Sequence, residues 1–252
     1  MNRMGIYAFC AIRETEPREF GEVEIEGEPR KLFTVHQGNS AMVVAKAPLK
    51  IYPPLRENLR FHQDTVNRVM EEYSVLPLSF GNVFHSEGDL EVLMKALSEQ
   101  FEELFPKIDG KMEVGLKIMG KKEWLEEEIR KDPQVEKVQE AVRGKSEAAA
   151  YYDRIRLGEM AQKFFLQLRK QLEEEIFQPL VEEAEAAKLN ETVGEKMLLN
   201  AAFLIDRDQE EAFDRKVNEL YEQWSERVDF QYTGPWPAYN FVNIRLKVEE
   251  PT

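Results

Sequence analysis

Apolar and polar residues alternate along this chain with two different periods, one typical of strands and one typical of helices. A long apolar run from Met4 to Ile12 and shorter β-prone runs at Lys31 to Val35 and Ala41 to Ala47 predict strands. Between the last two, Gln37-Gly38-Asn39 has the chemistry of a hairpin turn. The acidic segment from Glu14 to Glu28 follows neither period, so it is predicted to form a loop or an irregular hairpin.

Helical spacing begins after this strand-rich part. Apolar side chains at steps of three and four predict helices over 55–73 and 86–105, the second capped by Ser86 and Asp89. The predicted inner faces are Leu55, Leu59, His62, Val66, Val69 and Tyr73 in the first helix, and Leu90, Leu93, Leu97, Phe101 and Leu104 in the second. The pattern breaks from Pro106 to Gly110, which predicts a domain boundary after residue 109.

The second half again mixes strands with helices. Strands are predicted over 112–119, 197–205, 228–232 and 241–248, and helices over 121–131, from 132, from 146 towards 189, and from 208 to about 227. Caps are predicted at Asp132-Pro133, at Ser146 and at Asp208 with Glu211. Pro179 should kink or break the longest helix because it cannot donate to Glu175. The predicted buried stripes are Leu157, Met160, Phe164, Leu168 and Leu172, then Phe213, Val217, Leu220 and Trp224.

This order of elements predicts an α+β protein of two domains, covering residues 1–109 and 110–252. Each domain should contain a small, mostly antiparallel sheet with helices on one face. The second domain should carry the long helix.

Composition narrows the range of functions. The 252 residues carry a formal net charge of −14, which argues against nucleic-acid binding because that needs clustered Lys and Arg. No apolar run approaches the ~18 residues of a membrane span, and no secretory signal is recognisable. Cys10 is the only cysteine and cannot form an internal disulfide, so a reducing cytoplasm is the expected setting.

No stretch of the chain predicts a catalytic, cofactor or metal site. The segment from Gly115 to Lys122 matches most of a phosphate-binding loop, but Lys122 stands where Ser or Thr should reach the magnesium ion. A strand with a turn is therefore predicted there. His36, His62 and His85 lack the spacing of metal ligands. The chain is accordingly predicted not to be an enzyme and to bind no cofactor or metal.

Two aromatic, proline-containing stretches remain as candidate structural or partner-contact sites. The first runs from Tyr73 to Phe84 and is predicted to be a shaped joint between two helices. The second runs from Gly234 to Phe241, where Trp236 either covers the core or belongs to an exposed aromatic patch for a protein partner. The candidate residues are Pro77, Phe80, Gly81, Trp236, Tyr239 and Phe241.

These two stretches carry a resemblance that spans nearly the whole chain. Pro77-Leu78-Ser79-Phe80-Gly81-Asn82-Val83-Phe84, the later Gly234-Pro235-Trp236-Pro237-Ala238-Tyr239-Asn240-Phe241 and the opening Tyr7-Ala8-Phe9 resemble the gas vesicle GvpF/GvpL family. The resemblance implies two α+β domains, at least one of them ferredoxin-like. One residue departs from the family pattern: relatives often carry a basic residue at the position of Ser79.

By the same resemblance, the chain would be a gas vesicle accessory protein, either a minor shell component or an assembly factor. It would bind the small, hydrophobic main shell subunit and other accessory proteins, at the gas vesicle in the cytoplasm. An alternative from another class stays open, a ferredoxin-like module that binds a small molecule or catalyses a reaction. That alternative requires polar residues converging on a pocket, and the sequence displays none.

Overall fold

The computed structural model describes residues 3–142 and 150–244. The chain forms two compact units. The first unit comprises Met1–Glu113 together with Pro235–Thr252, and the second comprises Val114–Gly234. The segment after residue 234 thus belongs with the N-terminal residues. The predicted domain boundary after residue 109 stays a prediction.

The first unit is built around one sheet with a fully buried central strand. Its strands are β1 (Met4–Arg13), β2 (Glu19–Ile25), β3 (Glu28–Gln37), β4 (Ser40–Pro48), β5 (Leu76–Pro77) and β6 (Val83–Phe84). They lie in the order β2-β3-β4-β1-β5, with β6 also paired to β1. All the residues of β1 between its two ends are buried, which matches its uninterrupted apolar sequence.

The acidic segment after β1 contains a strand that the loop prediction missed. In β2 the buried Val23 and Ile25 alternate with exposed glutamates, so one face packs on the core and the other meets water. The alternative prediction, an irregular hairpin, is confirmed. β2 and β3 pair around a turn at Glu26 and Gly27, and their register shifts between Glu19 and Glu22. The hairpin predicted between β3 and β4 is also confirmed.

Three helices follow in the first unit: α1 (Arg56–Met70), α2 (Glu87–Ala96) and α3 (Ser98–Ile108). The inner face of α1 is confirmed at His62, Val66 and Val69. Leu55, which precedes the helix, and Leu59, in its first turn, are exposed. The predicted cap is confirmed, since the Ser86 hydroxyl accepts a hydrogen bond from the Asp89 amide at 3.2 Å.

The single helix predicted over 86–105 is in fact two helices that meet at Leu97. The break changes the phase of the apolar stripe, so Met94 and Phe105 are buried while Leu93 and Leu104 are only partly covered. Pro106 lies inside the last turn of α3 rather than ending it.

Among its described residues, the second unit contains the other sheet and five α-helices. Its strands are β7 (Lys111–Gly120, which starts in the first unit), β8 (Ala186–Leu189), β9 (Met197–Asp206) and β10 (Val228–Trp236), in the order β10-β7-β9-β8. Its helices are α4 (Lys122–Arg130), α5 (Pro133–Val142), α6 (Tyr151–Leu172), α7 (Gln178–Val181) and α8 (Glu210–Trp224). The predicted α+β class with two antiparallel sheets is confirmed.

A kink or break was predicted at Pro179, and the structure has a change of helix type just before it. A π-helical turn, Glu173–Phe177, follows α6, and Pro179 lies in the first turn of α7, where its missing N–H costs least. The prediction of helix as far as Leu189 is wrong, because β8 begins at Ala186. Ser146, the predicted cap, lies outside the described residues.

Three further predictions near the C-terminus are wrong. Asp208 lies in a 3-10 turn, Arg207–Gln209, and α8 begins at Glu210 without a side-chain cap, so the capping box does not form. β10 continues through Gly234 to Trp236 instead of ending at residue 232. No strand covers 241–244, and the rest of that predicted strand lies outside the described residues.

The buried face of α8 supports a first prediction about stability. Leu220 is 5% exposed between Val217 and Trp224, so Leu220→Ala should lower the free energy of unfolding by about 2–4 kcal/mol. Leu93→Ala is the matched comparison on α2, where partial exposure should reduce the loss to about 1–2 kcal/mol. Urea unfolding monitored by circular dichroism measures both variants. Equal losses would contradict the difference in burial.

Candidate functional site

The bend between α1 and α2 is fixed to the core by a chain of hydrogen bonds. The Gly81 amide donates to the Tyr7 hydroxyl at 3.0 Å. His62 Nε2 lies 3.1 Å from the Leu78 carbonyl, which can only accept, so this nitrogen carries the proton. The Tyr7 hydroxyl therefore donates to His62 Nδ1, also at 3.1 Å. Two buried side chains, one from β1 and one from α1, thus hold both ends of the segment 78–81.

Tyr7 also lies at the centre of a group of aromatic rings in the first unit. Its ring centroid is 4.8–6.5 Å from the rings of Phe9, Tyr52, Phe61, His62 and Phe80. We call these six residues the Tyr7 cluster. Tilted and edge-on pairs at such distances add to the stabilisation from burial alone.

The three candidate residues of the bend lie on or next to this cluster. Pro77 is buried in β5 opposite Cys10 of β1. Phe80 is partly buried against the cluster, and Gly81 adopts a φ of +90°, which strongly favours glycine. Gly5 of β1 permits a close approach that the sequence did not reveal, because a Cβ there would lie 2.5 Å from the Phe84 carbonyl oxygen.

The second candidate stretch is held by a buried carboxylate. Glu113 is 4% exposed and accepts from the Asn240 amide at 2.7 Å and from Asn240 Nδ2 at 2.6 Å. Next to this contact, Trp236 and Phe241 are partly buried, whereas Tyr239 is 39% exposed. Sequence reasoning missed Glu113. The available signal was a charged residue between the apolar residues Met112 and Val114 of a predicted strand.

The first candidate stretch lines a groove in the first unit, together with the three residues that directly follow the second stretch. Of the six candidate residues, only Pro77 lines this groove. The groove has a volume of about 420 Å³. Its walls are residues of the bend, of α2 and α3, and of the segment after the Glu113 contact: Pro77, Leu78, Ser79, Asn82, Phe84, Leu93, Leu97, Phe101, Val242, Asn243 and Ile244. The role of the candidate residues in contacting a partner stays a prediction.

The other residues that the sequence suggested for chemistry belong to the framework of the fold. In the segment resembling a phosphate-binding loop, the predicted strand is confirmed for residues 115–120, which lie in β7, whereas α4 begins at Lys122 in place of the predicted turn. Burial raises the pKa of the Cys10 thiol, which disfavours the reactive thiolate. Within residues 3–142 and 150–244, no group of three or more His, Cys, Asp and Glu side chains could hold a metal ion. No helix in the same described residues is long and apolar enough to cross a membrane.

His62 gives a second prediction, a pH dependence of stability. Burial lowers the pKa of His62 to about 4, from about 6.5 when unfolded. As the pH falls, His62 therefore binds a proton in the unfolded state before it does so in the folded state. The stability that is present above pH 6.5 is lost as the pH falls towards 4. Between pH 7.5 and 5.5 this amounts to about 1.4 kcal/mol.

The comparison variant is His62→Gln, which removes the titrating group. Urea unfolding at both pH values should show a smaller loss of stability for this variant than for the wild type, by about that amount. Carboxylates elsewhere contribute equally to both proteins and cancel. The same loss in both would show that His62 does not cause the pH dependence.

Helix α6 of the second unit is apolar but poorly covered. Between residues 151 and 166 it carries eight large apolar side chains, and none of them is buried. Four of these are exposed: Tyr151, Tyr152, Ile155 and Leu166. We call these four residues the α6 apolar surface. Tyr151, Tyr152 and Ile155 lie close together in the first two turns of α6, and Leu166 lies about three turns further along. Exposed apolar side chains that cluster on a helix are typical of a surface that binds another protein or a membrane.

Comparison with known proteins identifies a family for this chain. Over residues 5–243 the chain matches the family described as "Gas vesicle synthesis protein GvpL/GvpF". It is 25% identical to gas vesicle protein F of Microcystis aeruginosa, covering 96% of this chain and 99% of that one. It is 23% identical to gas vesicle protein F1 of Halobacterium salinarum, with 91% and 90% covered.

Two crystal structures share the fold. GvpF from a strain of Anabaena superposes with a TM-score of 0.82 at 22% identity, covering 96% of this chain and 99% of that chain. GvpF from Microcystis aeruginosa gives a TM-score of 0.75 at 22% identity, covering 94% and 98%. Because the family match extends over nearly the entire sequence, the chain belongs to the GvpF/GvpL family of gas vesicle proteins.

Proposed function

We propose that this protein is a gas vesicle accessory protein, a minor shell component or an assembly factor, that binds the hydrophobic main shell subunit. The observation that supports this most directly is the α6 apolar surface, where Tyr152 is 81% exposed and Tyr151 58%. A shell subunit that faces gas must expose apolar surface and would aggregate in water before assembly. A strongly acidic partner that covers this surface keeps the complex dissolved.

The proposal places the protein at the gas vesicle in the cytoplasm and includes contacts with other accessory proteins. It assigns no catalytic activity. The groove lined by the first motif and by residues 242–244 offers a second contact surface, and the exposed Tyr239 lies three residues before that segment. Tyrosine is enriched among the residues that dominate protein interfaces.

We also infer that the second unit is ferredoxin-like. Its elements follow one another as β7, helices α4 to α7, β8, β9, α8 and β10, which is a β-α-β-β-α-β order. Its strand order, β10-β7-β9-β8, places the first and third strands of the unit at the centre. Both features support the assignment of the second unit as ferredoxin-like.

The test is co-purification with the main shell subunit, together with the yield of gas vesicles in cells. Replacing Tyr152 and Ile155 by glutamate should reduce capture of the subunit at least tenfold and lower the yield. The matched control is Arg156→Gln with Lys163→Gln, which lowers the net charge by the same two units on the same helix. Both are exposed and lie outside the α6 apolar surface.

Capture should stay unchanged in that control, and circular dichroism should show equal melting temperatures for all three proteins. Unchanged capture by the glutamate variant would refute a role for α6. A rise in melting temperature on addition of a nucleotide or a divalent metal would instead favour the small-molecule alternative, because a ligand that binds only the folded state stabilises it.

A further inference from the structure

The second unit contains a groove of about 680 Å³ that neither motif predicted. It is lined by α4, by α6 and by the C-terminal end of α8 with the turn that follows. The lining residues are Glu123, Trp124, Glu127, Glu128, Lys131, Phe164, Gln167, Leu168, Gln171, Trp224, Glu226 and Arg227. We call it the Trp124 groove. It uses a different set of residues from the α6 apolar surface.

The apolar part of the Trp124 groove is aromatic. The rings of Trp124 and Trp224 meet edge to face with centroids 6.2 Å apart. Phe164 lies on α6 one turn before Leu168, so the two side chains share a face of that helix. Trp124 and Phe164 are both only partly buried, which leaves apolar surface for another chain to cover.

The rim of the groove carries three exposed carboxylates, Glu123, Glu127 and Glu226. None of them makes a hydrogen bond or ion pair to a described residue, although Glu127 adds to the rise in the pKa of Lys131 that Glu128 mainly causes. The two cations of the groove are already engaged: Arg227 lies 5.2 Å from the Trp224 ring centroid, and Lys131 bonds Glu128 at 2.5 Å. The groove therefore already binds two cationic side chains, one against tryptophan and one against glutamate. Its remaining carboxylates are available to bind further cationic groups.

The spacing of the lining residues suits a helix. Glu123, Glu127 and Lys131 recur every four residues, so they form one row along α4 and its C-terminal end. Eight residues of helix span ~12 Å, or about two turns, and two turns of an incoming helix present an apolar stripe of similar length. The two acidic side chains of this row, Glu123 and Glu127, beside an apolar floor are complementary to an amphipathic helix with basic flanks.

We propose that the Trp124 groove binds an amphipathic helix of a partner protein whose apolar stripe is bordered by Lys and Arg. The apolar stripe covers Trp124 and Phe164, and the basic residues pair with Glu123, Glu127 and Glu226. This deepens the proposed function by naming the chemistry of one partner segment. Its test uses purified protein and a synthetic peptide, so it fails or succeeds separately from co-purification with the shell subunit.

The probe is an 18-residue amphipathic peptide with leucine on one face and Lys and Arg on the other, carrying an uncharged fluorescent label. Fluorescence anisotropy with the full chain should show saturable binding in the micromolar range. A second peptide with the same leucine positions and glutamate in place of each Lys and Arg should bind at least tenfold more weakly. Equal binding of the two peptides would overturn the charge complementarity.

The variant that tests the rim is Glu123→Lys with Glu127→Lys, and it should weaken binding of the basic peptide at least tenfold. Trp124→Ala, which removes apolar floor, should weaken it at least fivefold. The matched control for the charge change is Glu182→Lys with Glu183→Lys, two exposed residues at the end of α7 that do not line the groove. The control should change the affinity less than twofold.

Three results would overturn the proposal. The first is an absence of binding by the basic peptide. The second is an equal loss of affinity in the rim variant and the control, since this would reflect only the overall negative charge. The third is a dimer of the protein alone that sediments as a monomer in the rim variant, because the occupant of the groove would then be a second copy of this chain.

Discussion

Replacing Tyr7 by alanine should lower the free energy of unfolding of the first unit by about 5 kcal/mol, at the upper end for truncation of a large buried ring. Tyr7 is fully buried, and its ring contacts all five other members of the Tyr7 cluster. Since domains of this size are stabilised by about 5–15 kcal/mol, the variant should be close to unfolded. Urea unfolding followed by circular dichroism measures the loss.

Tyr7→Phe separates the contribution of the hydroxyl from that of the ring. It keeps the aromatic contacts but leaves the Gly81 amide and His62 Nδ1 without their partner. Each unpaired buried group costs about 1–3 kcal/mol, so this variant should be intermediate between alanine and wild type. A variant as stable as the wild type would mean that water replaces the hydroxyl and that the bond does not hold the bend.

Phe80→Ala should cost about 3 kcal/mol, whereas Ser79→Arg should leave stability unchanged. Phe80 packs against Tyr7, Phe61 and His62 but is only partly buried, which places its loss at the low end for phenylalanine. Ser79 is exposed, so an arginine there can extend into solvent. Exposed substitutions of this kind usually change stability by less than about 0.5 kcal/mol.

Melting temperature and gas vesicle yield distinguish the roles of these two neighbours. A lower yield of Phe80→Ala should accompany its lower melting temperature, while Ser79→Arg should match the wild type in both. If Ser79→Arg unfolds the protein and Phe80→Ala does not, then Ser79 faces the core and Phe80 faces solvent, the reverse of the structure. If both variants fold normally but form no vesicles, the bend acts as a contact surface.

Elements with a regular period could be predicted from the sequence. In these elements the burial of each position determines whether its side chain is apolar or polar, so the pattern is visible locally. The strands β1 and β4 and the inner face of α8 are examples. The strand β2 was missed because the glutamates on its solvent-exposed face dominate its composition. The break at Leu97 was missed because helical spacing continues through it, and only the packing of Met94 and Phe105 reveals the change of phase.

The candidate site was predicted less completely than the fold, since its contacts join distant parts of the chain. The sequence drew attention to Phe80 and Gly81 but gave no reason to connect them with Tyr7, 74 residues away from Gly81. Glu113 and Asn240 are 127 residues apart. The Trp124 groove depends on helices that a single sequence cannot place side by side.

The pair of hydrogen bonds between Glu113 and Asn240 has a consequence for modularity. Glu113 is the last residue of the first unit before the chain enters the second, and Asn240 lies shortly after the chain returns. The second unit is therefore an insertion whose entry and exit are tied together by one carboxylate. All the members of the Tyr7 cluster and all the residues of the bend lie in the first unit. Divergence of the sequence within the second unit should therefore leave the Tyr7 cluster and the bend unchanged, provided that the Glu113 contact is kept.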